Sequence, residues 1–562
     1  MKTHPLLTLL IALLLTVSGS VFAQTEMPAE ARPIPPDDPR WDWWREARFG
    51  LFIHWGPVSL KGTEIGWSRA GERRDKHETV GGIPAEEYDN LYRKFNPVKF
   101  SAQEWVDVAK AAGMKYIVLV AKHHDGFCLF DTKTSDYNIM RGPFKLDICA
   151  ELAKACRENG MRLGFYFSPP DWRDTDFFTA DHDRYLKRMH EQVRELLTNY
   201  GQLDILWFDH NQGFGENNNP KTWDAAAMFP VIRRLQPDIL VTKRAGGWGD
   251  FNTPEQRVGG FDNQTPWESC ITICKQWSWK ADDEMKSLAE CLRTLILCAG
   301  GDGNLLFNVG PMPSGEIEPR QVQRLKEMGA WLAQYGGSIY GTRGGPYKPG
   351  AWGASTFKGS VVYLHIFKWH DGKIVLPPLT GKKILRATAL TGGAVTVSDD
   401  GKALTVSASA PADIDTLVKL ELDATASDLT PLKVILPVTG LTASASNVYQ
   451  NDPDCGPNQA FDDDPKTRWA TDEGVKQATL TVNFDTPQTF SRVEIREEYQ
   501  RVQSFELQYK AADGQWQTFY KGAGIGGNFK TSLSAPVTAR EIRLQILDAT
   551  DGPSISEFKL TK

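Results

Sequence analysis

The sequence predicts an α/β fold: a (β/α)8-like barrel followed by two β-sandwich units. Three observations carry this. Between residues 49 and 311, short apolar runs rich in β-branched and aromatic residues alternate with segments whose apolar residues recur three and four apart, as in parallel strands covered by helices. After Arg343 the helical period stops, and polar and apolar residues alternate one by one, as in "SVVYLHIFKW" and "KALTVSASA". A further alternating block, with "TLTVNF", "FELQYK" and "EIRLQI", begins near Leu441. At 562 residues the chain is too long for one ordinary core, which agrees with several units. The expected divisions are an N-terminal segment 1–23, then 24–344, 345–435 and 436–562.

The N-terminal segment reads as an export signal. Lys2 supplies charge, Leu6 to Val17 is apolar apart from Thr8 and Thr16, and the small residues of "SVFA" precede Gln24. That run is short for a bilayer, no second one follows, and no cysteine stands at the cleavage point to carry a lipid. The expectation is a periplasmic or secreted protein without membrane insertion. A formal net charge of −6 with no run of lysine or arginine offers nothing to phosphate backbones, so nucleic acid is excluded as a partner. The 18 tryptophans favour a protein that stacks rings on sugars, although core packing accounts for most of them. Eight cysteines show neither a CxxC pair nor metal-ligand spacing and are read as buried thiols.

Seven apolar runs are candidate barrel strands: "FGLFIHWG" (49–56), "KYIVLVAKHHDG" (115–126), "MRLGFYFSPPDW" (161–172), "LDILWFDHN" (203–211), "DILVTKRAG" (238–246), "WESCITI" (267–273) and "NLLFNVGP" (304–311). Between them, "SAQEWVDVAKAAG", "DICAELAKACRENG" and "DRYLKRMHEQVRELLTNYG" are amphipathic helices. An eighth strand is not found.

In such a barrel the chemistry sits where strands end and loops begin. His54 ends the first run, His123 and His124 the second, Tyr166 the third, Asp209 the fourth and Arg244 the fifth, while Glu268 begins or flanks the sixth. Any one of these could be a turn former; six strand ends together describe a cup. The pair His123–His124 does not read as a metal site, because neighbouring strand side chains point to opposite faces. At a strand end both rings can tilt inward as neutral donors to hydroxyl groups, which suits a sugar. Glycoside hydrolysis needs two carboxyl groups, about 5 Å apart in a retaining mechanism. Asp209 and Glu268 are the candidates: Asp209 follows the apolar "ILWF", with Trp207 on the same side, and Trp267 could desolvate Glu268 as a general acid requires. The alternatives are a cap after a strand for Asp209 and a solvated surface glutamate for Glu268.

The motifs "FGLFIHWG", "KHHDGF", "GFYFSPPDW", "LWFDHN", "WESCITICKQWSW", "GNLLFNVGP" and "SIYGTR" resemble, in order, those of the α-L-fucosidases of glycoside hydrolase family 29, from about Trp41 to Arg343. The resemblance implies a retaining enzyme without a catalytic metal, Asp209 as nucleophile, and His54, His123, His124, Tyr166, Trp207 and Arg244 as fucose-binding residues. A Glu-Trp pair of many members is separated here in "TEIGWSR", so Glu64 and Trp67 both stand as substrate-binding candidates. The acid/base moves between loops in this family; the "WES" motif points to Glu268, with Glu64 or Glu255 as alternatives. The "EIGWSR" form resembles the branch that takes α-1,3/1,4-linked fucose from branched, Lewis-type glycans. Two further readings stay open: a lectin-like adhesin with an inactive barrel, and an exo-glycosidase for a related sugar such as an α-L-galactoside.

Residues 345–435 fit the small β-sandwich that packs beside the barrel in this family, with "DATASDLTPLKVILPVTG" as linker and edge strand. With "NQAFDDDPKTRWAT" the last unit resembles a discoidin-type, or coagulation-factor C-type, carbohydrate-binding module. In that family the aspartate-rich loop commonly holds a structural calcium, for which Asp464, Thr467 and Glu557 are the candidates; an ordinary Asp/Pro turn is the alternative.

Overall fold

A computed structural model describes residues 31–73, 78–79, 81–209, 220–434, 440–462, 464 and 467–562. The expected export signal, residues 1–23, and the end of the expected linker, 435–439, lie outside them. Seven strands, β1 (Phe49–Ile53), β2 (Tyr116–Lys122), β3 (Arg162–Phe167), β4 (Ile205–Phe208), β5 (Leu240–Val241), β6 (Glu268–Thr272) and β7 (Asn304–Val309), form one sheet in the order β5-β4-β3-β2-β1-β7-β6. Every pairing is parallel. Strand β2 is buried along its whole length, as expected where both faces of a parallel sheet are covered.

The side-chain alternation shows what each face meets. Tyr116, Val118 and Val120 of β2 point into an inner cluster with Phe52, Tyr166, Ile205, Trp207, Leu240 and Leu306, below which Trp41 and Trp44 pack. Ile117, Leu119 and Ala121 point outward into a larger cluster with the helices. Those helices are α1 (Ala102–Ala111), α2 (Ile148–Glu158), α3 (His182–Asn199), α4 (Ala225–Leu235), α5 (Leu288–Gly300) and α6 (Pro319–Tyr335). Ser101 and Asp147 cap α1 and α2 by accepting from Glu104 N and Ala150 N, and Ser287 forms a capping box with Glu290 at α5. No helix among the described residues is long and apolar enough to cross a membrane.

The two edges β5 and β6 are joined by an irregular eighth staff, residues 251–255. Parallel bridges run from Thr242 to Phe251, from Asn252 to Trp267 and from Glu255 to Cys270. Glu268 N–H donates to Asn252 O at 2.9 Å, and Cys270 N–H donates to Pro254 O at 3.0 Å. Pro254 has no N–H to return, which interrupts the ladder and explains why no apolar run announces this staff. It ends at Glu255, on the same rim as the C-terminal ends of β1 to β5.

Beyond the barrel, a five-stranded and a three-stranded antiparallel sheet span residues 343–422 and enclose Val362, Leu364, Ile366, Leu404, Val406, Val418 and Leu420. Asp302 ties this unit to the barrel, pairing with the fully buried Arg48 at 2.6 Å and with Arg343 at 2.5 Å. The C-terminal strands, from Leu441–Ala445 to Ser554–Thr561, are antiparallel around Leu480, Val482, Phe505, Leu544 and Ile546. The two longest, Ala478–Glu497 and Phe529–Ala549, slip register between Asn483 and Gln488, so they bend around that core. Seven cysteines are buried and Cys455 is half-buried, as core thiols should be.

Candidate active site

Because the strands are parallel, their C-terminal ends open on one rim, and a cavity of about 350 Å³ lies there. His54, Trp67, His123, His124, Tyr166, Trp207, Asp209 and Arg244, all expected from sequence, line it, together with Phe52, Thr253, Glu255, Arg257 and Trp277. Tyr166 stacks on Trp207 at 5.4 Å between ring centres and on His123 at 5.6 Å. These rings build an apolar floor beneath a polar rim.

Asp209, first residue after β4, is the most heavily partnered group. Tyr166 donates its hydroxyl to Asp209 Oδ2 at 2.5 Å, Arg244 Nη1 donates to Oδ1 at 2.5 Å, and His124 Nε2 lies 3.6 Å from Oδ2. Burial works to raise this carboxyl, but Arg244, His124, Tyr166 and His123 outweigh it and hold Asp209 far below the ordinary range. It is therefore an anion at any physiological pH. Arg244 is itself fixed by Thr253, through Oγ1 at 2.6 Å and the carbonyl at 2.8 Å, and its guanidinium lies 4.9 Å from the Trp207 ring centre.

The same Arg244 Nη1 also donates to Glu255 Oε2, at 3.0 Å. One nitrogen thus holds an oxygen from each carboxylate, so the two oxygens are no further apart than those two bonds laid end to end. Burial, then the charge of Asp209, raises the Glu255 carboxyl above its ordinary value against the pull of Arg244. Its side chain is 45% exposed, open to whatever enters the cavity mouth.

Two expectations are corrected here. Glu268 does not reach the cavity: as the first residue of β6, level with Asn304 at the start of β7, it lies at the opposite end of the barrel. It is fully buried, accepting from Tyr116 Oη at 2.5 Å and Trp207 Nε1 at 3.2 Å, and burial raises its carboxyl to about 7. Glu268 holds the floor from below and is not placed to meet a leaving group. Glu64 turns away from the cavity and accepts the backbone N–H groups of Trp277, at 3.0 and 3.1 Å, and Ser278, at 3.3 Å. Trp67, by contrast, lines the mouth, edge-on to Trp172 at 5.2 Å and to His124 at 5.9 Å.

The tautomer of His54 is set by its neighbours. Asn308 Nδ2 donates to Trp277 O at 2.8 Å, which turns its Oδ1 toward His54 Nδ1 at 2.6 Å. His54 therefore carries its hydrogen on Nδ1 and presents Nε2 as an acceptor; burial lowers its pKa to about 4, so it is neutral. Ser168 Oγ donates to Pro170 O at 2.8 Å and accepts from His124 Nδ1 at 2.6 Å. Among the described residues, His123, His124 and Asp209 are the group whose ligand atoms lie within 4.8 Å of one another. Asp209 already has a guanidinium on one oxygen and a phenol on the other, an arrangement that repels a further cation.

Sequence reasoning left Trp277, Thr253 and Asn308 without a role. Trp277 stands in the motif "KQWSW", yet nothing in its spacing says that its ring comes within 4.7 Å of His54. In the C-terminal unit, Thr467 Oγ1 lies 2.7 Å from Asp462 Oδ2 and 2.9 Å from the Asp464 carbonyl. Glu557 is buried on the strand Ser554–Thr561, whose Phe558 ring packs 5.6 Å from Phe461. Asp462 thus joins Asp464 and Thr467 as an oxygen-bearing neighbour in this loop, and hard oxygens are the ligand type that calcium takes.

The family model described as alpha-L-fucosidase matches residues 17–337, and the one described as F5/8 type C domain matches residues 441–558. The human plasma alpha-L-fucosidase is 30% identical over 389 residues, covering 63% of this chain and 80% of that protein. Among solved structures, alpha-L-fucosidase isoenzyme 1 from Paenibacillus thiaminolyticus is 36% identical with a TM-score of 0.61, over 68% of this chain and 99% of that one. A Bacteroides thetaiotaomicron alpha-L-fucosidase, solved as a trapped covalent intermediate with 2-fluoro-fucosyl fluoride, is 26% identical with a TM-score of 0.62, over 71% of this chain and 100% of that one.

Proposed function

The chain belongs to the α-L-fucosidase family, and from that premise we propose that it is a retaining exo-α-L-fucosidase in which Asp209 is the nucleophile and Glu255 the acid/base. The carrying observation is the shared Arg244 nitrogen. It keeps the two carboxylate oxygens within the roughly 5–5.5 Å of a retaining pair, short of the roughly 6.5–9.5 Å that an inverting pair needs to admit water. The trapped covalent intermediate of the Bacteroides relative supports the same reading.

The steps follow from the two environments. Asp209, ionised and aimed by Tyr166 and Arg244, attacks the anomeric carbon, while Glu255, raised and exposed at the mouth, gives its proton to the departing oxygen. A fucosyl ester forms on Asp209. Glu255, now a carboxylate, takes a proton from water, which attacks the same carbon from the opposite side and frees Asp209. His54, His123 and His124 hold ring hydroxyls, and Trp207 and Phe52 meet the apolar face and methyl group of the sugar.

The substrates on this reading are fucosylated oligosaccharides or glycoconjugates, and the "EIGWSR" loop supports α-1,3/1,4-linked fucose of branched Lewis-type structures. Exported residence is supported by the N-terminal segment before Gln24, and a structural calcium by the clustered oxygens of Asp462, Asp464 and Thr467. The test is product stereochemistry and linkage on defined fucosylated oligosaccharides. The first-formed sugar should be α-L-fucose, and Asp209→Asn should nearly abolish turnover. A β-anomer released first, or full activity in that variant, overturns the mechanism; N-terminal sequencing of the mature protein tests export.

A further inference from the structure

We infer that Asn308, braced by Glu64 through Trp277, is a positioning residue that locks His54 as a hydrogen-bond acceptor and so makes the site demand a donating hydroxyl on the sugar. This rests on the fucosidase reading above. The argument begins with the amide. Only its NH2 can donate to the Trp277 carbonyl, 2.8 Å away, so only its oxygen can face His54 Nδ1, 2.6 Å away. The ring hydrogen must then sit on Nδ1, and Nε2 enters the cavity bare.

The lock holds only while Trp277 stays where it is. Glu64 fixes it from the other side by accepting the N–H groups of Trp277 and Ser278, and Ser278 Oγ in turn accepts Ile65 N–H at 3.1 Å. The loop after β1 and the loop after β6 thereby clamp each other. The Trp277 ring, 4.7 Å from His54, closes that wall of the cavity. Glu64, Trp277, Asn308 and His54 form one chain from two loops and strand β7, with Asn308 only 1% exposed and unable to turn toward solvent for another partner.

An acceptor-only imidazole discriminates chemically. A sugar hydroxyl can rotate its hydrogen toward Nε2, whereas fluorine at the same carbon can accept but not donate and would set lone pairs against Nε2. Freed from Asn308, His54 can move its hydrogen to Nε2 and tolerate fluorine. The experiment compares kcat/KM for an aryl α-L-fucoside and its 3-fluoro and 4-fluoro analogues in wild type, Asn308→Ala, Glu64→Gln and Glu64→Ala.

In wild type at least one fluoro analogue should be disfavoured by about tenfold or more, and in Asn308→Ala that preference should shrink by about tenfold even as overall activity falls. Glu64→Gln, which keeps an accepting oxygen, should remain within about threefold of wild-type KM, while Glu64→Ala should raise KM well beyond it. Imidazole 15N shifts give a readout independent of activity: His54 should be an Nδ1–H tautomer in wild type and Nε2–H in Asn308→Ala. Unchanged preferences for both analogues, equal losses in the two Glu64 variants, or a wild-type Nε2–H tautomer would overturn the inference. Failure of wild type to cleave the unsubstituted fucoside would instead strike the function proposed above.

Discussion

Glu255→Ala and Glu268→Ala should fail in different ways, because the two carboxyls do different work. Glu255 faces the cavity mouth and shares Arg244 with Asp209; Glu268 lies under the floor with Tyr116 and Trp207 as donors. General-acid assistance is worth about 10²–10⁴-fold when the leaving group is poor and little when a phenolate departs unaided. Glu255→Ala should therefore lose about that factor on a fucosylated oligosaccharide but far less in the first step with a dinitrophenyl fucoside. The glycosyl-enzyme should then accumulate, and azide should enter the vacated space, accelerate turnover and yield α-fucosyl azide, the product of two inversions. Glu268→Ala leaves two buried donors unsatisfied at about 1–3 kcal/mol each, before any penalty for the void. At roughly 2–4 °C per kcal/mol for a domain of this size, its Tm should fall by about 4–24 °C, with rate losses that do not depend on the leaving group. The assay is steady-state kinetics on both substrate types with and without azide, beside thermal melts. Leaving-group dependence and azide rescue in the Glu268 variant, or their absence in the Glu255 variant, would refute the assignment.

The other predictions are narrower. Thr253→Val removes the acceptor of Arg244 Nε and should lower kcat/KM by about tenfold or more without melting the fold, checked by kinetics and circular dichroism. Glu268, raised from 4.5 to about 7, stays protonated in the folded state while the unfolded chain ionises, so it makes stability fall as pH rises from about 4.5 to about 7. Glu268→Gln should remove that decline, so its Tm relative to wild type should improve across this window and level off above it. Thorough chelation should leave aryl-fucoside turnover unchanged while lowering the melting temperature of the C-terminal unit, followed by calorimetry; zinc-restored activity would reinstate a metal at His123 and His124.

Most of the rim was legible because parallel strands buried on both faces are written as continuous apolar runs, and the residue that ends each run lands on the rim. His54, His123, His124, Tyr166, Asp209 and Arg244 were located that way. The same rule, carried one step further, places Glu268 correctly: it begins its run, so it belongs at the far end. An adjacent tryptophan misdirected the reading, since desolvation raises a carboxyl equally well under the floor as in the site. Glu255 was hard to find for the opposite reason. Its staff, residues 251–255, pairs through isolated bridges around Pro254 and has no apolar period. Glu64 could not be placed at all without three dimensions, because its partners, the amides of Trp277 and Ser278, are more than two hundred positions away in sequence.

The arrangement around Arg244 bears on how one carboxyl can serve as acid and then as base. In the free enzyme Asp209 is an anion, and its charge is, after burial, the influence that raises Glu255 and keeps a proton available. On the mechanism proposed above, attack on the sugar turns Asp209 into a neutral ester. The repulsion that raised Glu255 disappears at that moment, while Arg244, bonded to Glu255 at 3.0 Å, loses its other anionic partner and attends to this one alone. Both changes lower the affinity of Glu255 for a proton just after it has given one away, which is the condition for it to act on water as a base. Hydrolysis of the ester restores the Asp209 charge and raises Glu255 again. A floor carboxyl such as Glu268, cut off from Asp209 by the Trp207 ring and with no charged partner among its contacts, has no means to follow the reaction in this way.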